Sequence, residues 1–372
     1  MSEVLILGGY GNFGKRIALA LSARGVPVIV AGRDLGKAEA LAAQLAHARA
    51  ARIDIHNGLD DALRDLQPAV VIHTCGPYQG SDYAVARACL RAGCHYIDLA
   101  DARDFVRDFS ILDAEARAAG VTLISGASTV PGLSSAVIEH FRPDFARLDA
   151  LDFGISPGQK AERGLATTRA IMSYVGRPLR SFAGHPKAYG WQDTHRQTYP
   201  VMGKRWLANC EIPDLDLLPS AYGLSDIRFG AGLELAPLHL GLWAASWLVR
   251  WGLPLSLERL AAPLLRLSDA FNAFGSDIGG MHMILRGEGH DGAPLEKRWF
   301  IIAEGGDGPQ IPCAPAILLA QRLYEKGPGL RTGAFPCVGL VRLEDYLDAL
   351  RPYAISVFQP PRKSVLPSGT PQ

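Results

Sequence analysis

Val4-Leu5-Ile6-Leu7-Gly8-Gly9-Tyr10-Gly11-Asn12-Phe13-Gly14-Lys15 joins a short apolar run to the pattern G-x-G-x-x-G, and its reading decides the fold. Four β-prone residues predict a strand, and Lys15 to Ala23 carries Ile17, Leu19 and Leu21 as a helix would. Glycines between a strand and a helix have separate uses. Gly9 permits the tight turn, Gly11 lets main chain approach a diphosphate, and Gly14 lets the helix pack closely on the strand. The helix N-terminus presents unpaired N–H groups and a partial positive charge to phosphate. Tyr10, Asn12 and Phe13 fall in the same loop and join the three glycines as candidate binding residues for a dinucleotide.

The rhythm continues beyond this stretch. Apolar runs recur at Val28–Val30, Ala51–Ile55, Ala69–His73, Tyr96–Leu99 and Val121–Ile124, about every 24 residues. Helical patterns between them have their punctuation: Asp34 before Leu35–Leu45, Ser81 before Asp82–Ala92 with Gly93 after it, and Arg103–Ala119 ending at Gly120. Alternating strands and helices predict an α/β Rossmann domain, a doubly wound parallel sheet, over residues 1–128. Past Pro131, which suits the first turn of a helix through Phe141, the rhythm breaks. Candidate strands Leu151–Ile155, Ile227–Phe229, Met281–Arg286 and Arg298–Ala303 and helical segments Ala166–Val175 and Pro237–Leu267 predict an α+β substrate and dimerisation domain over 129–339. A segment near 340–360 is expected to return to the first domain. Residues 361–372, rich in Pro and Ser, are expected to be disordered.

Composition excludes some functions. The chain has 372 residues, net charge +1 and 48% hydrophobic residues, so no strong field draws it to nucleic acid or an anionic membrane. Its six cysteines form no C-x-x-C pair and no zinc spacing, so no metal is expected. No signal peptide is read at the start, and reduced cysteines point to the cytoplasm. Leu235–Trp251 is strongly apolar but short for a membrane span and contains Pro237, His239 and Arg250. It reads as a buried helix or a contact between two copies, and a homodimer is the expectation.

The second strand ends in Ala31-Gly32-Arg33, where an acid would suit the ribose hydroxyls of NAD. A guanidinium nineteen positions after Gly14 suits a 2′-phosphate, Lys37 adds charge, and Gly32 leaves room, so NADP is preferred over NAD. Asp34 has two readings, ribose acid or helix cap. Asp54, near the end of the third run, is grouped with the cofactor-binding residues. Ligands in such folds bind beyond the carboxyl ends of the strands, here Thr74-Cys75-Gly76-Pro77-Tyr78, Asp98-Leu99-Ala100-Asp101 and Ser125-Gly126-Ala127-Ser128. Cys75, Gly76 and Pro77 are placed against the cofactor. Tyr78, Asp98 and Cys75 are the catalytic candidates. Tyr78 is a proton donor or a packing residue, and Cys75 a substrate contact or a small buried group. Asp98 and Asp101 suit a substrate amine, with Asp101 also suited to capping the next helix. Arg163, Arg169 and Arg205 are candidate carboxylate clamps, and Gly305–Pro309 is a turn or a closing loop.

LGGYGNFG (7–14), AGR (31–33), TCGPYQG (74–80), ACLRAGCHYIDLAD (88–101) and SGASTVPGLSS (125–135) resemble the saccharopine dehydrogenase family. The resemblance implies a small-molecule substrate and reversible, NADP-linked reduction of an imine formed between an amino acid and a carbonyl compound. Where such proteins often read Y-x-D-L-T-G-E, this chain has Tyr96-Ile97-Asp98-Leu99-Ala100-Asp101-Ala102, so the family's contacts there do not transfer. Reduction of a carbonyl or an activated double bond, and NADP binding without turnover, are the alternatives.

Overall fold

A computed structural model describes residues 3–327 and 330–360. The expected disordered tail at 361–372 lies outside the described residues. The first sheet is built from β1 (Val4–Leu7), β2 (Val28–Gly32), β3 (Ala48–Arg52), β4 (Val70–His73), β5 (His95–Asp98) and β6 (Thr122–Ser125). Between them run α1 (Asn12–Ala23), α2 (Leu35–Ala42), α3 (Leu59–Leu66), α4 (Ala84–Ala92), α5 (Arg103–Arg107) and α6 (Asp113–Ala118). The strand order β6-β5-β4-β1-β2-β3 is fully parallel, with the chain reversing beside β1. That is the Rossmann arrangement, and it sets a crevice at the carboxyl ends of β1 and β4. Val4–Leu7 and Val70–His73 are buried along their whole length, because helices cover both faces.

The second domain is a mixed, curled sheet. After α7 (Ser134–Phe141) come β7 (Phe145–Ser156), α8 (Leu165–Tyr174), the short pair β8 (Pro178–Leu179) and β9 (Ala188–Tyr189), β10 (His195–Tyr199), β11 (Gly203–Asn209), α9 (Asp214–Tyr222) and β12 (Asp226–Ala231). Then follow α10 (Ala236–Arg250), α11 (Ala261–Asp269), β13 (Gly279–Gly289), β14 (Pro294–Ala303), α12 (Gln310–Tyr324), β15 (Gly333–Pro336), α13 (Leu343–Leu350) and β16 (Ile355–Phe358). The sheet order is β10-β11-β12-β7-β13-β14-β16, with only β12 and β7 parallel.

Tertiary pairing corrects several sequence expectations. β15 falls inside the range assigned to the second domain, yet it pairs in parallel with β6 as the seventh strand of the first sheet. α12 packs on α1 of the first domain. β16, in the segment expected to return to the first domain, instead joins β14. Neither Gly-Ala-Phe-Pro nor Ile-Ser-Val-Phe is long enough to declare its partner. The expected helix Arg103–Ala119 is interrupted by a 3₁₀ turn at Asp108–Leu112. Pro237–Leu267 is two helices, because Gly252 adopts φ +90° and Pro254 lacks an N–H to continue the first. Ser81 does not cap α4; its hydroxyl donates to Pro77 O (3.0 Å), and Asp82 accepts from Ala84 N (3.1 Å). Among the described residues no helix is long and apolar enough to cross a membrane.

One interdomain tether carries charge. Arg103, on α5, has 2% of its side chain exposed and meets Asp216 of α9 through two bonds of 2.7 and 2.9 Å. It also donates to Arg180 O (2.9 Å) and Ser181 O (3.1 Å), with Glu211 at 3.3 Å. A buried guanidinium with this many acceptors fixes α5 against the second domain.

Candidate functional site

The loop from β1 to α1 is held by its own main chain. Gly9 N donates to Ala31 O and Gly11 N to Gly8 O, both at 2.9 Å. A Cβ on Gly14 would lie 2.2 Å from Gly8 O and 2.8 Å from Gly9 Cα, so only glycine lets α1 start this close to the strand. A Cβ on Gly9 would lie 2.9 Å from Ile6 O and from Val30 Cγ1. Gly11 is freer, its nearest such contact being Gly8 O at 3.1 Å. It is the N-cap of α1 with no side-chain cap, so the first-turn N–H groups stay available. Gly11 and Asn12 line both a cavity of about 810 Å³ and a neighbouring one of about 430 Å³ that also borders Tyr10, Lys15 and Arg16. This arrangement fits a dinucleotide diphosphate.

At the end of β2 the structure sorts the candidates. Arg33 is exposed and near enough to Asp54 and Cys75 to oppose the protonated form of each. Asp34 caps α2, accepting from Lys37 N at 3.2 Å, and its other oxygen lies 3.5 Å from Lys37 Nζ. The reason offered for Gly32 is corrected: a Cβ there would lie 2.4 Å from Cε1 of Tyr10, whose ring fills the space, and Asp34 N donates to Tyr10 Oη at 3.0 Å. Asp54 is a turn residue, accepting from His56 N (3.1 Å) and Asn57 Nδ2 (3.3 Å), and these bonds hold its carboxyl below the usual range.

The three strand ends do converge on the larger cavity. Thr74 donates to Leu7 O (2.9 Å), locking the end of β4 to that of β1. Cys75, Gly76, Pro77 and Tyr78 line the cavity with Leu99, Asp101 and Ser128. Burial pushes the Cys75 thiol up to about 11, so it is a neutral contact and no nucleophile at neutral pH. Tyr78 Oη donates to His73 O at 2.7 Å and is buried, which opposes the proton-donor reading and supports packing.

Asp98 is corrected as a catalytic candidate. It is fully buried and absent from the cavity wall; its Oδ1 accepts from Gly126 N (2.8 Å), Ala100 N (2.9 Å) and Ser125 Oγ (2.9 Å). Its work is to join the loops after β5 and β6. Burial raises its carboxyl to about 6 against the pull of those three bonds. Asp101 takes the opposite course. It does not cap α5, whose N-cap is Ala102 with no side-chain bond, and it lines the cavity with Gln79 Nε2 at 3.4 Å. Loss of water raises its carboxyl above the ordinary range.

The second domain supplies the facing wall. Tyr174 Oη and Cys210 Sγ lie 2.6 Å apart beside Glu211. Further in, α8, α10 and α11 close an apolar lobe with Trp191 and Leu257. Gly306, Gly308 and Pro309 border the cavity, so the glycine-rich turn is part of its wall. Of the three arginines proposed as clamps, Arg205 is committed to Glu234 at 3.1 Å and Arg169 is exposed outside the wall. Arg163 does line the cavity, but it donates to Ser268 Oγ (2.8 Å), Asn272 Oδ1 (3.3 Å) and Gln159 O; its Nε alone is unpartnered. Sequence reasoning missed Tyr174, Cys210, Glu211 and Trp191, which no spacing connects to the glycine loop.

Residues 4–124 match the Saccharopine dehydrogenase NADP binding domain family. The apo structure of saccharopine dehydrogenase (L-Glu forming) from Saccharomyces cerevisiae shares the fold over 97% of this chain and 100% of its own, with a TM-score of 0.66 and 14% identity. The amine dehydrogenase from Mycobacterium smegmatis aligns over 92% of this chain and 97% of its own, with a TM-score of 0.50 and 13% identity. No curated protein matches the chain. The first domain thus matches the NADP-binding domain of that family, and the fold of the whole chain is like that of the yeast enzyme.

Proposed function

We propose that this protein is an NADP-dependent oxidoreductase that reduces the C=N bond of an imine formed from an amino acid and a carbonyl compound. The observation that carries the reading is the placement of an uncapped, glycine-lined helix start and an acidic side chain, Asp101, on one cavity closed by a second domain. Bound NADPH would supply a hydride to the carbon of a protonated C=N group, whose nitrogen keeps its proton and becomes a secondary amine. Gly9, Gly11 and Gly14 shape the loop that holds the diphosphate, and Arg33 takes the 2′-phosphate. Asp101 holds the cationic nitrogen, Leu99 and Pro77 exclude water, and Cys75 stays neutral. Orientation and electrostatics suffice, since an iminium carbon is already electrophilic.

Calorimetric titration is expected to show NADPH binding more tightly than NADH, and Arg33→Ala should weaken NADPH far more than NADH. Equal weakening of both would remove the 2′-phosphate assignment. NADPH oxidation followed with amino acid and carbonyl pairs, against simple ketones and enones, tests the reaction. Faster turnover of a ketone or enone would move the protein to that class, and binding without turnover of any of them would make it a non-catalytic NADP-binding protein. The proposal includes a cytoplasmic setting, supported by six free cysteines, and a homodimer, supported by exposed Trp251, Leu253, Leu267, Phe271 and Phe274. Gel filtration at several concentrations tests the latter.

A further inference from the structure

The wall of the 810 Å³ cavity divides by chemistry. Near the strand ends it is polar and acidic. Beyond Tyr174 it is apolar, with Ile171, Met172, Trp191, Leu242, Leu257 and Leu264 meeting across the lobe. Among the described residues, the charged members of the wall are Asp101, Glu162, Glu211 and Asp277 against one cation, Arg163. That guanidinium already serves Ser268, Asn272 and Gln159, with Asp269 at 3.6 Å, and its unpartnered Nε is itself buried. Each carboxylate brought into a partly dry cavity needs a partner of its own, or its lost hydration goes uncompensated. One guanidinium, already committed to protein acceptors, against four acidic side chains accommodates at most one substrate carboxylate. A large apolar surface, by contrast, gains from every methylene it hides in the lobe.

Resting on the imine-reduction reading, we infer that the substrate carries a large apolar group, aliphatic or aromatic, and no more than one carboxylate. The apolar group fills the lobe between α8, α10 and α11, and the reacting nitrogen faces Asp101. An imine joining two dicarboxylic partners does not suit this wall.

The test uses the NADPH-loaded full chain and imines of one amino acid with n-alkanals from butanal to decanal, set against the same amino acid with 2-oxoglutarate. The expected result is a kcat/KM that rises about fourfold per methylene until the lobe is full, with the 2-oxoglutarate pair at least tenfold (~) below the best alkanal. Ala245→Phe, which narrows the lobe from α10, should depress the long alkanals more than butanal. Gly241→Phe is the second variant, since no atom lies within 4 Å of a Cβ at Gly241. NADPH affinity reports that each variant folds. Preference for 2-oxoglutarate with no chain-length slope would overturn the inference and leave imine reduction standing. If no imine is reduced but n-alkylamines quench tryptophan fluorescence with the same slope, the apolar site stands and the proposed reaction falls. Neither turnover nor a slope in binding would overturn both.

Discussion

The two walls of the cavity are made of different materials. On the first-domain side, the loop fitted to the diphosphate is built from main chain: Gly9, Gly11 and Gly14 contribute space, and the start of α1 contributes N–H groups. On the second-domain side, the apolar lobe is built from side chains gathered from α8, α10, α11 and the strand ends. A main-chain site tolerates no added atom but cares little about neighbouring side chains. A side-chain site can be retuned by any substitution that keeps the helices packed. The glycine loop is therefore fixed by steric necessity, and under the proposed function the apolar lobe is where specificity is expected to reside.

That contrast can be broken experimentally, and the sharpest instrument is the joint between the walls. Arg103→Ala leaves Asp216 its pair with Arg180 but strips Glu211 of its guanidinium and Arg180 O and Ser181 O of their donor beside a buried gap, and should cost about 3 kcal/mol of stability. Urea unfolding would measure it, and a loss within error of zero would show that the domains hold together without this tether. Next in size is Gly14→Ala. The new Cβ meets main chain at 2.2 Å, so the loop must move, at about 1–3 kcal/mol. NADPH affinity should fall by roughly ten- to a hundredfold if that strain is released by displacing the loop, while Ala245→Phe leaves it unchanged. Equal effects of the two variants on NADPH would erase the distinction drawn between the walls.

Asp98 gives a pH signature of the hidden scaffold behind the cavity. Its carboxyl sits at about 6 in the fold, above the value near 3.9 of an unfolded chain. The folded state thus holds a proton that the unfolded state releases. The stability from this group is complete below about pH 4 and is lost as pH rises through about 6. Asp98→Asn should flatten this segment by on the order of 2 kcal/mol, read from unfolding curves at pH 4, 5, 6 and 7. The smallest effect belongs to Tyr78→Phe. It removes one bond to His73 O, worth about 0.5–1.5 kcal/mol, and should leave kcat unchanged. A large fall in kcat would restore Tyr78 as a proton donor.

Much of the first domain was legible in the sequence because its signals are local. A strand, three glycines and a helix start lie within twelve consecutive residues, and the β-α rhythm repeats behind them. Asp34 shows how far such reading goes: its place before Leu35 suits a helix cap, and the bond to Lys37 N is there. Asp98 and Asp101 show where it stops. Three residues apart on the chain, they serve opposite ends, one locked among main-chain donors and the other facing the cavity. No property of an isolated Asp distinguishes those fates.

The sequence by itself determined the parallel sheet, the glycine loop and the place of Arg33, because each follows from backbone sterics or from the period of an apolar pattern within a few residues. Only the tertiary structure decided that β15 closes the first sheet, that β16 closes the second, and that Asp101, Tyr174 and Trp191 border one cavity. Those facts depend on chain segments separated by tens to hundreds of residues. Burial, close approach and charge pairing between such segments exist only after the chain has folded.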